Sequence, residues 1–185
     1  MADRVCPWWM GYFLASSVRK WLQDPARILE PYVKPGMVTL DVGCAMGFFT
    51  LPMARLVTES GHVVAVDLQE KMLNSLRRRA GRAGLIDRIE FRQCLSSSLG
   101  VDDLAGKIDF ALAFAVIHEM PDPSAAFASI AQSLRTGGKL LLAEPSDHVK
   151  GNAFSKTLAA AEKAGLKKID APTIRLSRSA VFARE

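Results

Sequence analysis

From residue 36 to the C-terminus, short apolar runs alternate with stretches rich in helix formers. Parallel strands need a crossover between them, and a helix supplies it. The alternation therefore specifies an α/β fold with a parallel sheet. Strands are expected at 37–42, 62–66, 88–92, 107–116, 139–143, 166–171 and 175–183. Helices are expected at 48–59, 69–83, 123–134 and 152–164. Gly84 serves as a C-cap, and Asp122-Pro123 pairs an N-cap with a first-turn proline. Two further helical stretches, 9–22 and 25–33, precede the alternation and meet at Asp24-Pro25. They read as an extension (1–34) over a core (35–185). A chain of 185 residues suits one domain with a full hydrophobic core.

In an open parallel sheet, ligands collect beyond the carboxyl ends of the strands. After the first strand stands Asp41-Val42-Gly43-Cys44-Ala45-Met46-Gly47. Small residues at 43, 45 and 47 let the backbone turn sharply beside a ligand, and the next helix adds free amide donors. A dinucleotide loop has the spacing GxGxxG, whereas here the small residues fall at every second position. Asp41, two places before the first glycine, would repel a pyrophosphate and suits an ammonium. The loop argues against NAD and toward a cofactor that carries an amino acid.

This segment resembles the first motif of class I S-adenosylmethionine-dependent methyltransferases, an acid followed by GxGxG, with Ala45 replacing the middle glycine. The resemblance covers about residues 27–145. Val64-Ala65-Val66-Asp67 is similar to the second motif, whose acid binds both ribose hydroxyls, a role that suits the two oxygens of a carboxylate. Asp41 and Asp67 lie 26 residues apart, the length of a strand–helix–strand unit. Residues 107–122 and 134–140 resemble the fourth strand with its loop and the turn before the fifth strand. Within the superfamily, the ubiquinone/menaquinone-biosynthesis-like group of small methyltransferases matches best.

The resemblance implies a Rossmann-like, doubly wound, mostly parallel seven-stranded sheet with an antiparallel C-terminal strand and helices on both faces. It also implies S-adenosyl-L-methionine as cofactor, contacted by Asp41, Gly43, Cys44, Ala45, Gly47, Asp67, Leu68, Cys94, Leu95 and Phe114. The family's usual acid after the third strand, which binds adenine, is replaced by Gln93-Cys94-Leu95-Ser96, leaving Ser96 or the backbone for that role. Ala45 is expected to crowd the cofactor by one methyl group.

Methyl transfer is a direct displacement, so the protein mainly aligns the nucleophile and excludes water. No metal is required. His118 and Glu119 follow the fourth strand, where the family puts its acceptor. His118 titrates near neutrality and can take a proton, while Glu119 can orient it or bind a cation. The other reading is that His118 packs under the loop and Glu119 caps an amide. Glu144 ends the fifth strand and His148 follows; they either face the pocket or, the preferred reading, are loop residues without chemistry. Trp8, Trp9, Tyr12 and Phe13 concentrate aromatics in a chain with only 8% of them. Trp9, Tyr12 and Phe13 either wall the acceptor site, or staple a helix to the sheet, or form a homodimer contact.

Residues 150–185 hold eight basic and three acidic side chains, whereas the rest of the chain is balanced. Aromatic residues interleaved for base stacking are missing there, so the basic edge reads as a solvated surface. Ile117-His118-Glu119-Met120 stands where an Asn-Pro-Pro-Tyr-like segment would mark transfer to a base nitrogen. A small-molecule acceptor is expected, with RNA or protein acceptors and a non-catalytic cofactor-binding module as alternatives. Cys6, Cys44 and Cys94 form no CxxC, which points to reduced, buried thiols. The apolar runs are strand-length, far short of the ~20 residues of a membrane span, and residues 8–14 lack a basic leader. The chain is expected in the cytoplasm, without a membrane partner.

Overall fold

The computed structural model describes residues 23–185. Seven strands form one sheet: β1 Val38–Val42, β2 His62–Asp67, β3 Ile89–Gln93, β4 Ile108–Phe114, β5 Leu134–Pro145, β6 Leu166–Asp170 and β7 Ser177–Arg184. Their order is β3-β2-β1-β4-β5-β7-β6. The first five pair in parallel, and β7 runs antiparallel to both β5 and β6. Among the described residues five α-helices form: α1 Pro25–Leu29, α2 Thr50–Leu56, α3 Glu70–Arg82, α4 Pro123–Ser133 and α5 Gly151–Lys163.

The central strands are apolar throughout because both faces are covered. Successive side chains of a strand feed opposite cores. Val63, Ala65, Phe110 and Leu112 join Met53 of α2 and Leu76 of α3 on one face. Leu40, Val42, Val64 and Val66 join Phe127 and Ile130 of α4 on the other. The strand order reverses direction between β1 and β4, which opens a crevice at their carboxyl ends.

Some boundaries differ from the sequence reading. Helix α1 stops at Leu29 rather than residue 33, because Pro31 follows and a turn closes through Val33 N–H to Leu29 C=O. Helix α2 is shorter than 48–59 at both ends. Residues 43–49 are held in turns, and Thr58 takes a left-handed conformation (φ 63°) while Gly36 N–H captures the Val57 carbonyl. Strand β5 begins at Leu134, pairing with Ile108 before a register shift at residues 135–138. Among the described residues, no helix is long and apolar enough to cross a membrane. Several cations of the basic C-terminal edge bind the chain itself. Arg184 donates to the carbonyls of Gln132 and Leu134, Arg178 Nε to the Val149 carbonyl, and Lys167 pairs with Glu185 at 2.6 Å.

Candidate active site

A cleft of about 480 Å³ runs across the carboxyl ends of the parallel strands. One end is built from the residues after β1, β2 and β3, the other from those after β4 and β5.

The loop after β1 is shaped by close approach. Gly43 (φ 71°) faces Val116 so tightly that a Cβ would stand 2.4 Å from its Cγ2. At Gly47 (φ 84°) a Cβ would stand 2.2 Å from Leu76 Cδ1. The amides of Gly43 and Cys44 donate to the Val66 carbonyl at 2.9 and 3.0 Å, and Arg79 of α3 donates to the Met46 carbonyl. The loop is therefore anchored to β2 and α3. Ala45 keeps the left-handed conformation of a glycine (φ 45°) although it carries a side chain.

Asp67, buried at the end of β2, accepts Ala45 N–H on Oδ2 and Gln69 N–H on Oδ1, both at 2.8 Å. Each oxygen keeps a further lone pair for a ligand hydroxyl. Burial raises its pKa, and the two amide bonds oppose the rise. Asp41 is only 3% exposed and accepts the Thr50 hydroxyl at 2.6 Å. Burial pushes its pKa up to about 7, with Thr50 opposing and the charge of Asp67 adding. Burial likewise pushes the Cys44 thiol well above its usual range and the Cys94 thiol up to about 11, so both thiols are inert. Neither is in a disulfide, and the described residues contain no metal-binding cluster.

Beyond β2 and β3 the wall carries exposed leucines beside Ser96, Ser97 and Ser98. Leu68 is 37% exposed and Leu95 is 70% exposed, both lining the cleft. Residues 95–98 form a tight turn closed by Leu95 N–H to the Ser98 carbonyl, with Ser96 on the lining. Phe114 packs against Phe49 with ring centroids 4.4 Å apart. Phe49 is a cleft residue that the sequence reading did not single out; its place just before α2 was the available signal.

At the other end, the chain turns after β4 through Ala115 (φ 56°) into a short 3-10 turn, Ile117–Glu119. There His118 Nδ1 is hydrogen-bonded to Glu144 Oε2. Glu144, at 0% exposure, also accepts Ile117 N–H on Oε1 at 2.9 Å. This corrects the reading of Glu144 as a loop residue: it lies within β5 and positions His118. The bond to Glu144 raises the His118 pKa, burial opposes, and the charges of Glu144, Glu119 and Asp147 add. Glu119, expected as the orienting acid, lies on the opposite side of the ring, 4.0 Å from Nε2. His148 also lines the cleft, its ring 6.1 Å from that of His118.

Asp41, Gly43, Cys44, Ala45, Asp67, Leu68, Cys94, Leu95, Phe114, His118 and Glu119 thus line one cleft, while Gly47 supports it from below. Trp9, Tyr12 and Phe13 lie outside the described residues. The donor set fits a ligand with a vicinal diol at Asp67, an ammonium near Asp41 and a flat ring against Leu68 and Leu95.

Comparison with known proteins agrees. The methyltransferase domain family matches residues 33–175. A ubiquinone/menaquinone biosynthesis C-methyltransferase (UbiE) of Vibrio vulnificus is 29% identical over 116 residues, covering 63% of this chain and 44% of the relative. An uncharacterized 37.1 kDa protein in transposon TN4556 of Streptomyces fradiae is 32% identical over 112 residues, 60% of this chain and 31% of that protein. The chain therefore spans less than half the length of these relatives. A solved SAM-dependent methyltransferase from Aquifex aeolicus shares the fold with a TM-score of 0.85 at 22% identity, covering 97% of this chain and 98% of that one. The chain belongs to the methyltransferase domain family.

Proposed function

We propose that this chain transfers a methyl group from S-adenosylmethionine to a small-molecule acceptor, with His118 as the base. One observation carries the reading: His118, gripped by the buried Glu144, faces the same cleft that the glycine loop and Asp67 close at its other end. When bound, S-adenosylmethionine would supply an electrophilic methyl carbon on a sulfonium, to which the acceptor's lone pair would bond while the C–S pair would stay with sulfur.

Asp67 would hold the ribose diol and Asp41 would face the ammonium. Leu68 and Leu95 would flank the adenine, and Phe114 would floor the cleft. With the Nδ1 proton held by Glu144, Nε2 of His118 keeps its lone pair toward the cleft and can take the proton of an acceptor hydroxyl or thiol. A macromolecular acceptor is the weaker reading, because Arg178, Arg184 and Lys167 are engaged within the chain.

The test is calorimetric titration with S-adenosylmethionine, NAD serving as control, followed by transfer of labelled methyl to small phenols, quinols and thiols. Binding of the first ligand alone, with label recovered in one acceptor class, supports the reading. Binding of NAD, or no binding by either, overturns it.

A further inference from the structure

The segment between β3 and the 3-10 turn Asp102–Leu104 forms a small arch over one end of the cleft. Its crown is the turn 95–98, where Leu95 is 70% exposed, so packing contributes little to its placement. The two feet place it instead. At the front foot, Cys94 N–H donates to the Asp67 carbonyl at 3.1 Å and Gln93 Nε2 to the Leu68 carbonyl at 3.2 Å. At the rear foot, Leu99 and Val101 are buried in the core on the α4 face of the sheet.

Arg92 fastens that rear foot. Alternation along β3 sends Phe91 to the α2/α3 face and Arg92 to the other, where the chain returns. There Arg92 Nη1 donates to the Gly100 carbonyl at 3.0 Å and to Asp103 Oδ1 at 2.6 Å. Nη2 donates to Asp103 Oδ2 at 2.9 Å, and Nε to Glu90 Oε1 at 2.6 Å. Ser98 Oγ accepts Gly100 N–H at 3.1 Å, which ties the grip to the crown. An exposed ion pair contributes little on its own. Here the guanidinium is only 18% exposed and the pair is forked, which fixes direction as well as distance. The hydrogen bonds from Arg92 also hold the Asp103 carboxyl below its usual range, so the clasp stays charged at neutral pH.

A ligand binds an arch already in place more tightly than one selected from several positions, because apparent affinity falls with the competent fraction. Arg92 does not itself line the cleft. We infer that Arg92, with Asp103, is a positioning residue for S-adenosylmethionine: it holds the 95–98 turn ready for the adenine without touching the ligand. The inference rests on the adenine lying against Leu95, as proposed above.

The test is calorimetric titration of the full chain with S-adenosylhomocysteine, alongside amide NMR of the same samples. In the wild type the ligand should shift the amides of Leu95, Ser96 and Ser98. No shift there refutes the adenine placement and the inference with it. In Arg92→Lys, which keeps the charge but loses the fork, and in Asp103→Asn, Kd should rise about five- to tenfold. In the ligand-free variants the Leu95 and Ser98 amides should exchange at least fivefold faster. The amides of Val64 and Leu112 in the central strands should keep wild-type rates, which separates a loosened arch from lost stability. Asp103→Glu, which returns a carboxylate, should bring Kd back to within about twofold of the wild type. With the wild-type shifts present, an unchanged Kd in either weakened variant overturns the inference alone. So does a higher Kd accompanied by faster exchange throughout the central strands, or one that Asp103→Glu does not restore.

Discussion

The amide of Ala45 donates to Asp67 Oδ2 at 2.8 Å, joining the glycine loop after β1 to the acid that ends β2. Asp67 therefore does two things here: it presents oxygens to the cleft and fixes the loop beside it. Asp67→Ala should accordingly lower the stability of the ligand-free protein by about 1–3 kcal/mol, through two amides left without their acceptor. It should also weaken S-adenosylhomocysteine at least tenfold. Thermal unfolding without ligand and calorimetry with it separate the effects. Lost affinity at unchanged stability would show that the loop does not depend on Asp67.

The small residues of the loop are not equivalent, and substitution should reveal it. Ala45 sits at φ 45°, a left-handed conformation that costs an L-residue about 1–2 kcal/mol. Ala45→Gly relieves that strain and returns part of it as unfolded-state entropy, so a net gain of up to about 1 kcal/mol is expected in denaturant unfolding. Gly43→Ala should do the reverse. Its new Cβ meets Val116 Cγ2 at 2.4 Å with φ at 71°, and a loss of about 1–3 kcal/mol follows from overpacking. Equal effects of the two changes would mean that the loop yields freely.

Why the loop and Asp67 were legible in the sequence, while the His118 partner was not, follows from distance along the chain and from strand order. Residues 41–47 form one contiguous segment, and Asp67 sits one strand–helix–strand unit away, so the resemblance to two local motifs, supported by their spacing, pointed to both. The alternation of apolar runs gave all seven strands. Glu144, in contrast, is 26 residues from His118 and reaches it only because β4 and β5 are neighbours, with Phe114 opposite Ala143. The rule that ligands collect at the carboxyl ends of strands applies to Glu144 as much as to Asp67, and a lone acid after the apolar run 140–143 was the usable signal. Helix α2 was overestimated because the sequence does not announce the left-handed turn at Thr58.

The buried carboxyl of Asp41 is expected to make a proton part of S-adenosylmethionine binding, if the ammonium sits beside it as proposed above. With its pKa near 7 in the ligand-free protein, the group is about half protonated at neutral pH. An ammonium placed beside it stabilises the charged form and lowers that pKa, so binding releases protons and weakens as pH falls below 7. The release should amount to about half a proton at pH 7 and fall toward zero at pH 8.5. Calorimetry at pH 7 in phosphate and in Tris would read this as a difference in apparent enthalpy. Identical enthalpies, or affinity independent of pH between 6 and 8, would separate Asp41 from the ligand amine. Folding stability carries the same linkage. Because the folded-state pKa is raised, the ligand-free protein loses stability as pH rises from about 4 to 7, and the bound ligand offsets that loss.

Glu144→Gln isolates what the buried acid contributes to His118. Glutamine can keep an oxygen toward Ile117 N–H, while the negative charge behind the imidazole is removed. The raised pKa of His118 derives first from its bond to Glu144, so in the variant it falls. A base acts only when unprotonated, and the rising acid limb of the kcat profile should therefore move to lower pH. The plateau should drop about 10–100-fold, because the imidazolium formed during transfer loses its buried counter-charge. KM for the cofactor should stay within about twofold, since Asp67 and the glycine loop are untouched. Stability gives a second reading: the wild-type contribution of His118 is full below the ordinary histidine pKa and is lost as pH rises through the raised value, and the variant should lack this step. His118→Ala is the less informative change, because it leaves Glu144 buried and unpaired at a cost of about 3–5 kcal/mol. An acid limb that stays in place in Glu144→Gln, with the plateau unchanged, would reduce the pair to a packing contact and return the acceptor's deprotonation to solvent.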